Sequence, residues 1–182
     1  ADSQDGYKFD NLKYGVTYKV TENIVSGYEQ ASPFYLKLEK VDTGYVVKVY
    51  NAYANGVCSS EAQSTTTPSK NTGVYKTDNI YKLMNFVKTA DFSFTKQFDS
   101  VIPDPLPTFT VKDSSGKVVK VTLDNGTEMI LENVIPATGT KNYTFNNLEC
   151  GTYTVTESDV TGYEKVEFQI QVTDPGVGQN AV

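Results

Sequence analysis

The 182-residue sequence contains no histidine, no tryptophan and only two cysteines. Without histidine there is no Ser-His-Asp or Cys-His pair for nucleophilic catalysis, and a metal site would need carboxylates alone. All 16 basic side chains are lysines and the formal net charge is −6, which argues against nucleic-acid binding because that needs a basic face. No apolar run is long enough to span a membrane. We therefore expect no conventional active site, no cofactor, and neither nucleic acid nor membrane as a partner.

The residues that are plentiful favour β-strands. The chain has 13 tyrosines and 9 phenylalanines, and many short segments alternate apolar with polar side chains. The clearest of these segments are 45–53, 92–98, 108–113, 117–123, 153–157 and 166–172. Turn-forming sequences lie between them, at 113–116, 124–126 and 174–176. Many short strands at regular spacing predict an all-β protein built from sandwiches.

An internal repeat divides the chain into two halves. The sequence YKFDNLKYGVTYKVTE (7–22) matches YTFNNLECGTYTVTE (143–157), and Gly-Tyr-Glu follows each copy. The repeat predicts two tandem domains, 1–90 and 91–182. Only six residues precede the first copy, so we expect the first domain to lack its opening strands in this chain and the second to be truncated at its last strand. A polar, Ser/Thr-rich segment within 54–75 is expected to be an exposed loop inserted in the first domain.

One lysine interrupts an apolar strand face. In FSFTKQF the two-residue period of a strand places Lys96 on the same face as Phe92 and Phe94. If that face is the core, Lys96 is buried, which is costly unless the amine has a partner. The alternative is an ordinary strand lysine whose ammonium reaches water.

The repeated glutamate raises the same question. Glu157 shares a strand face with Tyr153 and Val155, and Glu22 occupies the matching position in the first copy. An apolar face that ends in a carboxylate predicts a buried partner for it. The alternative is a glutamate at the end of a strand, in contact with solvent.

The repeated segments FDNLKYGVTYKVTENIVSGYE and FNNLECGTYTVTESDVTGYE resemble the "E-box" of CnaB-type domains, the immunoglobulin-like sandwiches of Gram-positive pilins and cell-wall adhesins. This resemblance implies an intramolecular isopeptide bond between a lysine on the first strand and an asparagine on the last, promoted by the E-box glutamate. In the second domain it assigns these roles to Lys96 and Glu157, and in the first to Glu22 and Asn85. Asn180 is the candidate acceptor of the second domain, although the resemblance favours one beyond Val182.

The same resemblance predicts the biological role. It implies a structural subunit of an extracellular pilus or cell-wall stalk that is not a turnover enzyme, and whose partners are other subunits and, during assembly, sortase. The alternative is a cell-surface adhesin that binds a host protein or glycan through the loop of the first domain. For Cys58 and Cys150 two readings remain open, a disulfide and two unpaired thiols.

Overall fold

A computed structural model describes residues 6–70, 72–123, 125–176 and 178–182. Within these ranges all regular structure is β, in antiparallel sheets consistent with a β-sandwich, and no helix is long and apolar enough to cross a membrane. The chain divides into two compact units, Ala1–Phe86 and Val87–Val182, a boundary four residues before the expected one. Asp124, at the start of one expected turn, lies outside the described residues.

Unit 1 (Ala1–Phe86) is built on a four-stranded sheet in the order β1-β2-β3-β4. Its strands are β1 (Thr17–Val20), β2 (Phe34–Val41), β3 (Gly44–Ala54) and β4 (Val57–Glu61), and a hairpin of β5 (Tyr75–Thr77) and β6 (Ile80–Lys82) follows. The turn between β3 and β4 is Asn55-Gly56, with φ of 51° and 82°, the left-handed pair that a two-residue hairpin requires. Leu36 and Val49 face each other across β2 and β3 at the centre of its core.

The expected inserted loop at 54–75 is wrong in part, because β4 occupies Val57–Glu61 within it. Beyond β4, Ala62 and Val74 are buried in the core of unit 1. The segment is polar because β4 is the edge strand of its sheet, where Glu61 pairs with Lys48 at 3.0 Å. The part of the segment outside regular strands is therefore confined to 62–70 and 72–74, where Gln63, Ser64 and most of 66–70 are exposed.

Unit 2 (Val87–Val182) consists of two sheets packed face to face and a small hairpin. One sheet pairs β7 (Thr89–Thr95) with β11 (Asn142–Glu149), and the other has the order β13-β12-β8, from Glu167–Val172, Gly151–Glu157 and Phe109–Asp113. The hairpin is β9 (Lys120–Thr122) with β10 (Glu128–Ile130). Aromatic rings join the sheets, with Phe94 of β7 4.9 Å from Phe109 of β8 between centroids.

Candidate functional site

Lys96 follows directly after β7 and points inward. Phe92, Phe94 and Lys96 are all partly buried, whereas Ser93 and Thr95 between them are exposed. The backbone N–H of Lys96 donates to the carbonyl of Lys141 at 3.0 Å, which continues the pairing of β7 with β11 past the end of the strand. The two-residue period therefore holds through position 96 and turns the lysine towards the core.

Glu157 is the last residue of β12 and is almost fully buried. Only 3% of its surface is exposed, in line with Val155 at 0% and Tyr153 at 7% on the same strand face. Its backbone N–H donates to the Val166 carbonyl at 3.0 Å, and its Oε2 accepts the Val166 N–H at 3.1 Å. Glu157 is thus fixed between β8 and the start of β13.

The structure brings these two side chains together. Lys96 Nζ lies 2.9 Å from Glu157 Oε1 and 3.0 Å from Oε2, and its side chain is 15% exposed. Lys96 Nζ also lies 5.4 Å from the centre of the Phe98 ring. Taking both charges out of water is expensive, so the contact needs this close two-oxygen geometry to be stable. The Lys96 amine is thereby held against both oxygens of a carboxyl group that is almost fully buried.

The properties of Tyr143 indicate how poorly this pocket tolerates charge. Its ring is fully buried, and its hydroxyl donates to the Pro107 carbonyl at 2.6 Å. Burial, and after it the nearby charge of Glu157, raise the pKa of Tyr143 to about 12. The pocket therefore disfavours an additional negative charge.

Asn180, the candidate acceptor in unit 2, does not reach this site. It is exposed, in the segment after β13, and Val182 beyond it pairs with Thr173. Thr173 follows the end of β13 that pairs with Gly151, whereas Glu157 lies beside the start of that strand. Within the described part of unit 2, no Asn or Asp side chain lies within hydrogen-bond distance of Lys96 Nζ or the Glu157 carboxylate.

Unit 1 contains the complementary pair. Asn85 Nδ2 donates to Glu22 Oε1 at 2.7 Å, although the two residues are 63 positions apart. Asn85 lies outside the regular strands, beyond β6, rather than on a closing strand. Among the described residues its Oδ1 is buried without a hydrogen-bond partner. The acid and the amide are therefore adjacent, and one acceptor position on the amide is unfilled.

A second buried lysine was not predicted. Lys88 is 2% exposed, and its Nζ lies 2.5 Å from both Asp174 Oδ1 and the Gly176 carbonyl. The signal that could have revealed it is the alternation of β7 extended backwards, since Lys88 has the same parity as Phe92, Phe94 and Lys96. This contact connects the residues before β7 to the residues after β13.

The two cysteines are free thiols, so the candidate Cys58–Cys150 disulfide does not form in the structure. Each thiol lies against its own unit, Cys58 Sγ 3.9 Å from Thr17 Oγ1 and Cys150 Sγ 3.9 Å from the Lys88 carbonyl. Burial, and then the charge of Asp174, raise the pKa of the Cys150 thiol. A raised pKa makes a thiol a poorer nucleophile at neutral pH.

No family model, no curated protein and no solved structure matches the chain.

Proposed function

We propose that this chain is part of a structural subunit of an extracellular pilus or cell-wall stalk, made of tandem immunoglobulin-like, CnaB-type sandwiches braced by Lys–Asn isopeptide bonds. The observation that carries the proposal is the buried contact of Lys96 Nζ with both oxygens of Glu157, at 2.9 and 3.0 Å. The Glu22–Asn85 contact at 2.7 Å in unit 1 supports it independently. Each unit places the repeated glutamate against one of the two groups that an isopeptide bond joins.

The surroundings of Lys96 suit the chemistry of amide formation. A protonated amine is not a nucleophile, so amide formation requires Lys96 to give up a proton to a neighbouring base. Transfer of the proton from Lys96 to Glu157 leaves a neutral amine beside a neutral acid. The acid can then hydrogen-bond the carbonyl of an asparagine side chain and return the proton as ammonia leaves. The bond forms once and needs no cofactor.

The bond would serve mechanical strength. A covalent tie across a closed loop of about 90 residues stabilises a domain by about 4–5 kcal/mol through the unfolded state, by analogy with disulfides. It also carries tension along a covalent path rather than through strand hydrogen bonds, and it is insensitive to reducing agents. These are the properties that a stalk under shear requires.

Immunoblotting of cell-wall extracts with an antibody raised against this chain tests the structural role. The proposal expects a ladder of bands, at multiples of the subunit mass, that survives boiling in SDS and reducing agent because sortase joins the subunits covalently. Immunogold labelling is expected along fibres at the cell surface. A single band of subunit mass, together with label confined to the cytoplasm, would contradict the proposal.

A second candidate is an adhesin module, which a groove in unit 1 favours. The groove has a volume of about 590 Å³ and adjoins the exposed loop. Its lining is mostly polar, as hydroxyl-rich glycans require, and comprises Asn51, Ser60, Glu61, Gln63, Thr65, Thr72 and Val74. Glycan-array binding by the whole chain, lost in Gln63→Ala and retained in the exposed control Gln97→Ala, would favour this role. No binding on the array would contradict it.

A further inference from the structure

Two exposed tyrosine rings of unit 1 contact each other. The ring centroids of Tyr14 and Tyr45 lie 5.4 Å apart, and the ring planes are inclined at 61°, an edge-to-face arrangement. Tyr14 is 60% exposed and Tyr45 is 59% exposed, so both residues keep more than half of their surface in water. Edge-to-face contacts between aromatic rings are favourable at this separation. The pair is therefore accessible from solvent and already assembled in the folded protein.

The backbone fixes the position of both rings. Tyr45 is the second residue of β3 and is held in the ladder with β2. Tyr14 belongs to a turn before β1, in which the Val16 N–H donates to the Lys13 carbonyl at 3.4 Å. The Lys13 N–H donates to the Tyr18 hydroxyl at 2.9 Å, which attaches this turn to β1. Because β1 and β3 both pair with β2, the two rings meet although they are distant in the sequence.

Other tyrosines of unit 1 have only one of these two properties. Tyr35 and Tyr53 have ring centroids 5.3 Å apart, but Tyr35 is largely covered by its neighbours. Tyr7 is 92% exposed, but it has no ring contact within the described residues. Of the tyrosines that the structure describes, only Tyr14 and Tyr45 combine contact between two phenol rings with exposure of both residues above one half.

Two accessible phenols in contact are suited to oxidative coupling. A haem peroxidase that has reacted with hydrogen peroxide removes one electron and one proton from each phenol. The resulting radicals join through a bond between their Cε carbons, and the two Cε hydrogens then move to the oxygens as protons, which restores both phenols. The peroxide is reduced to two molecules of water, and the protein loses two hydrogen atoms, about 2 Da. Rings that already touch need no encounter between molecules, which favours coupling within the pair.

We propose that Tyr14 and Tyr45 form a site of oxidative modification, at which a haem peroxidase and hydrogen peroxide join the two rings into a dityrosine. The new carbon–carbon bond ties the turn before β1 to β3, and reducing agents do not break it. The modification involves no lysine or asparagine side chain, so it goes beyond the proposed function and does not depend on it.

The test treats the whole chain, at low concentration, with a purified haem peroxidase and an equimolar amount of hydrogen peroxide. Dityrosine fluorescence follows the rate, and intact mass gives the loss of about 2 Da. Trypsin cleaves after lysine, so Tyr14 falls in peptide 14–19 and Tyr45 in peptide 41–48. We expect these two peptides to be joined, and fragmentation of the joined species distinguishes Tyr14 from Tyr18. The rate constant should not change with protein concentration, because the coupling is intramolecular.

Phenylalanine variants identify the rings that react. Tyr14→Phe and Tyr45→Phe each keep a ring in place and remove the hydroxyl from which the radical forms. We expect each of them to reduce the yield of the lighter monomer at least about tenfold. Tyr7→Phe removes the most exposed of these tyrosines, and Tyr35→Phe removes one ring of the second pair. Both control variants should give the lighter monomer in the same yield as the unmodified protein.

The outcomes that would overturn the site are distinct from one another. One is a yield of lighter monomer in Tyr14→Phe that equals the yield in Tyr7→Phe. A second is a joined peptide that contains Tyr7 or Tyr35 in place of Tyr14. A third is a main product of SDS-resistant dimers at low protein concentration. Finally, the absence of any lighter monomer under conditions that couple free tyrosine would also overturn it.

Discussion

The Lys96–Glu157 contact predicts a large, non-additive effect on the stability of unit 2. Glu157 is 3% exposed, and both of its oxygens lie within 3.0 Å of Lys96 Nζ. Removing one member of a buried ion pair costs about 3–5 kcal/mol because the other charge is left unpaired. Lys96 is 15% exposed and keeps some water, so for Glu157→Gln we expect the lower end of this range, about 3 kcal/mol.

Lys96→Met should cost at least as much, because it leaves a carboxylate that is nearly excluded from solvent. The double variant should cost about 3 kcal/mol less than the sum of the single variants, since it leaves no unpaired charge. The exposed residues Lys112 and Glu167, changed to Met and Gln, provide the control and should each shift stability by less than about 0.5 kcal/mol.

Urea unfolding followed by hydrogen exchange of peptides from β11 and β12 measures this cycle, because the two units need not unfold together. Peptides from β2 and β3 report unit 1 in the same samples and should not change. A destabilisation by Glu157→Gln of less than about 1 kcal/mol, together with single-variant effects that add within about 0.5 kcal/mol, would contradict a buried Lys96–Glu157 ion pair. That result would mean that the pair is hydrated and independent.

Two further variants test other buried groups of unit 2. Lys88→Met removes a 2% exposed ammonium that contacts Asp174. Asp174 keeps its hydrogen bond from the Gly176 N–H, so we expect the free energy of unfolding in urea to fall by about 3 kcal/mol, the lower end of the range for a broken buried pair. The exposed control Lys82→Met should leave the free energy of unfolding unchanged, and equal stability of the two variants would contradict the buried pair. The pKa of Tyr143 is about 12 in the folded protein and about 10 in an unfolded chain. The contribution of Tyr143 to the free energy of unfolding is therefore fully present below pH 10 and is lost as the pH rises towards 12. In alkaline urea titrations, Tyr143→Phe should reduce this loss of stability, whereas the exposed control Tyr7→Phe should not. Identical pH profiles for Tyr143→Phe and the unmodified protein would contradict the raised pKa of Tyr143.

In unit 2, the alternation of apolar and polar residues along a strand predicted which strand face points towards the core. Phe92 and Phe94 set a period that places Lys96 inward, and Tyr153 and Val155 do the same for Glu157. This works because a strand buried on one face repeats every two residues, so few alternatives exist. The alternation gives orientation only, and the 2.9 Å contact depends on the packing of β7–β11 against β8–β12, which local sequence does not encode.

Other features of the structure have weaker signals in the amino-acid sequence. Edge strand β4 reads Val-Cys-Ser-Ser-Glu and looks like a loop, because an edge strand that buries little needs few apolar residues. Lys88 was missed although it continues the inward period of β7, since Ala90 between it and Phe92 marks the core only weakly. Asn85 was identified by motif position alone, and its contact with Glu22 across 63 residues has no local signal.

A peptide map of the protein isolated from the cells that produce it tests the proposed isopeptide bonds directly. We predict that the Lys96-containing peptide is joined to an asparagine-containing peptide, with a combined mass about 17 Da below the sum of the two. Asn85 should likewise be joined to a lysine peptide. Recovery of both peptides as linear, unmodified species would contradict the proposal that Lys96 and Asn85 form isopeptide bonds.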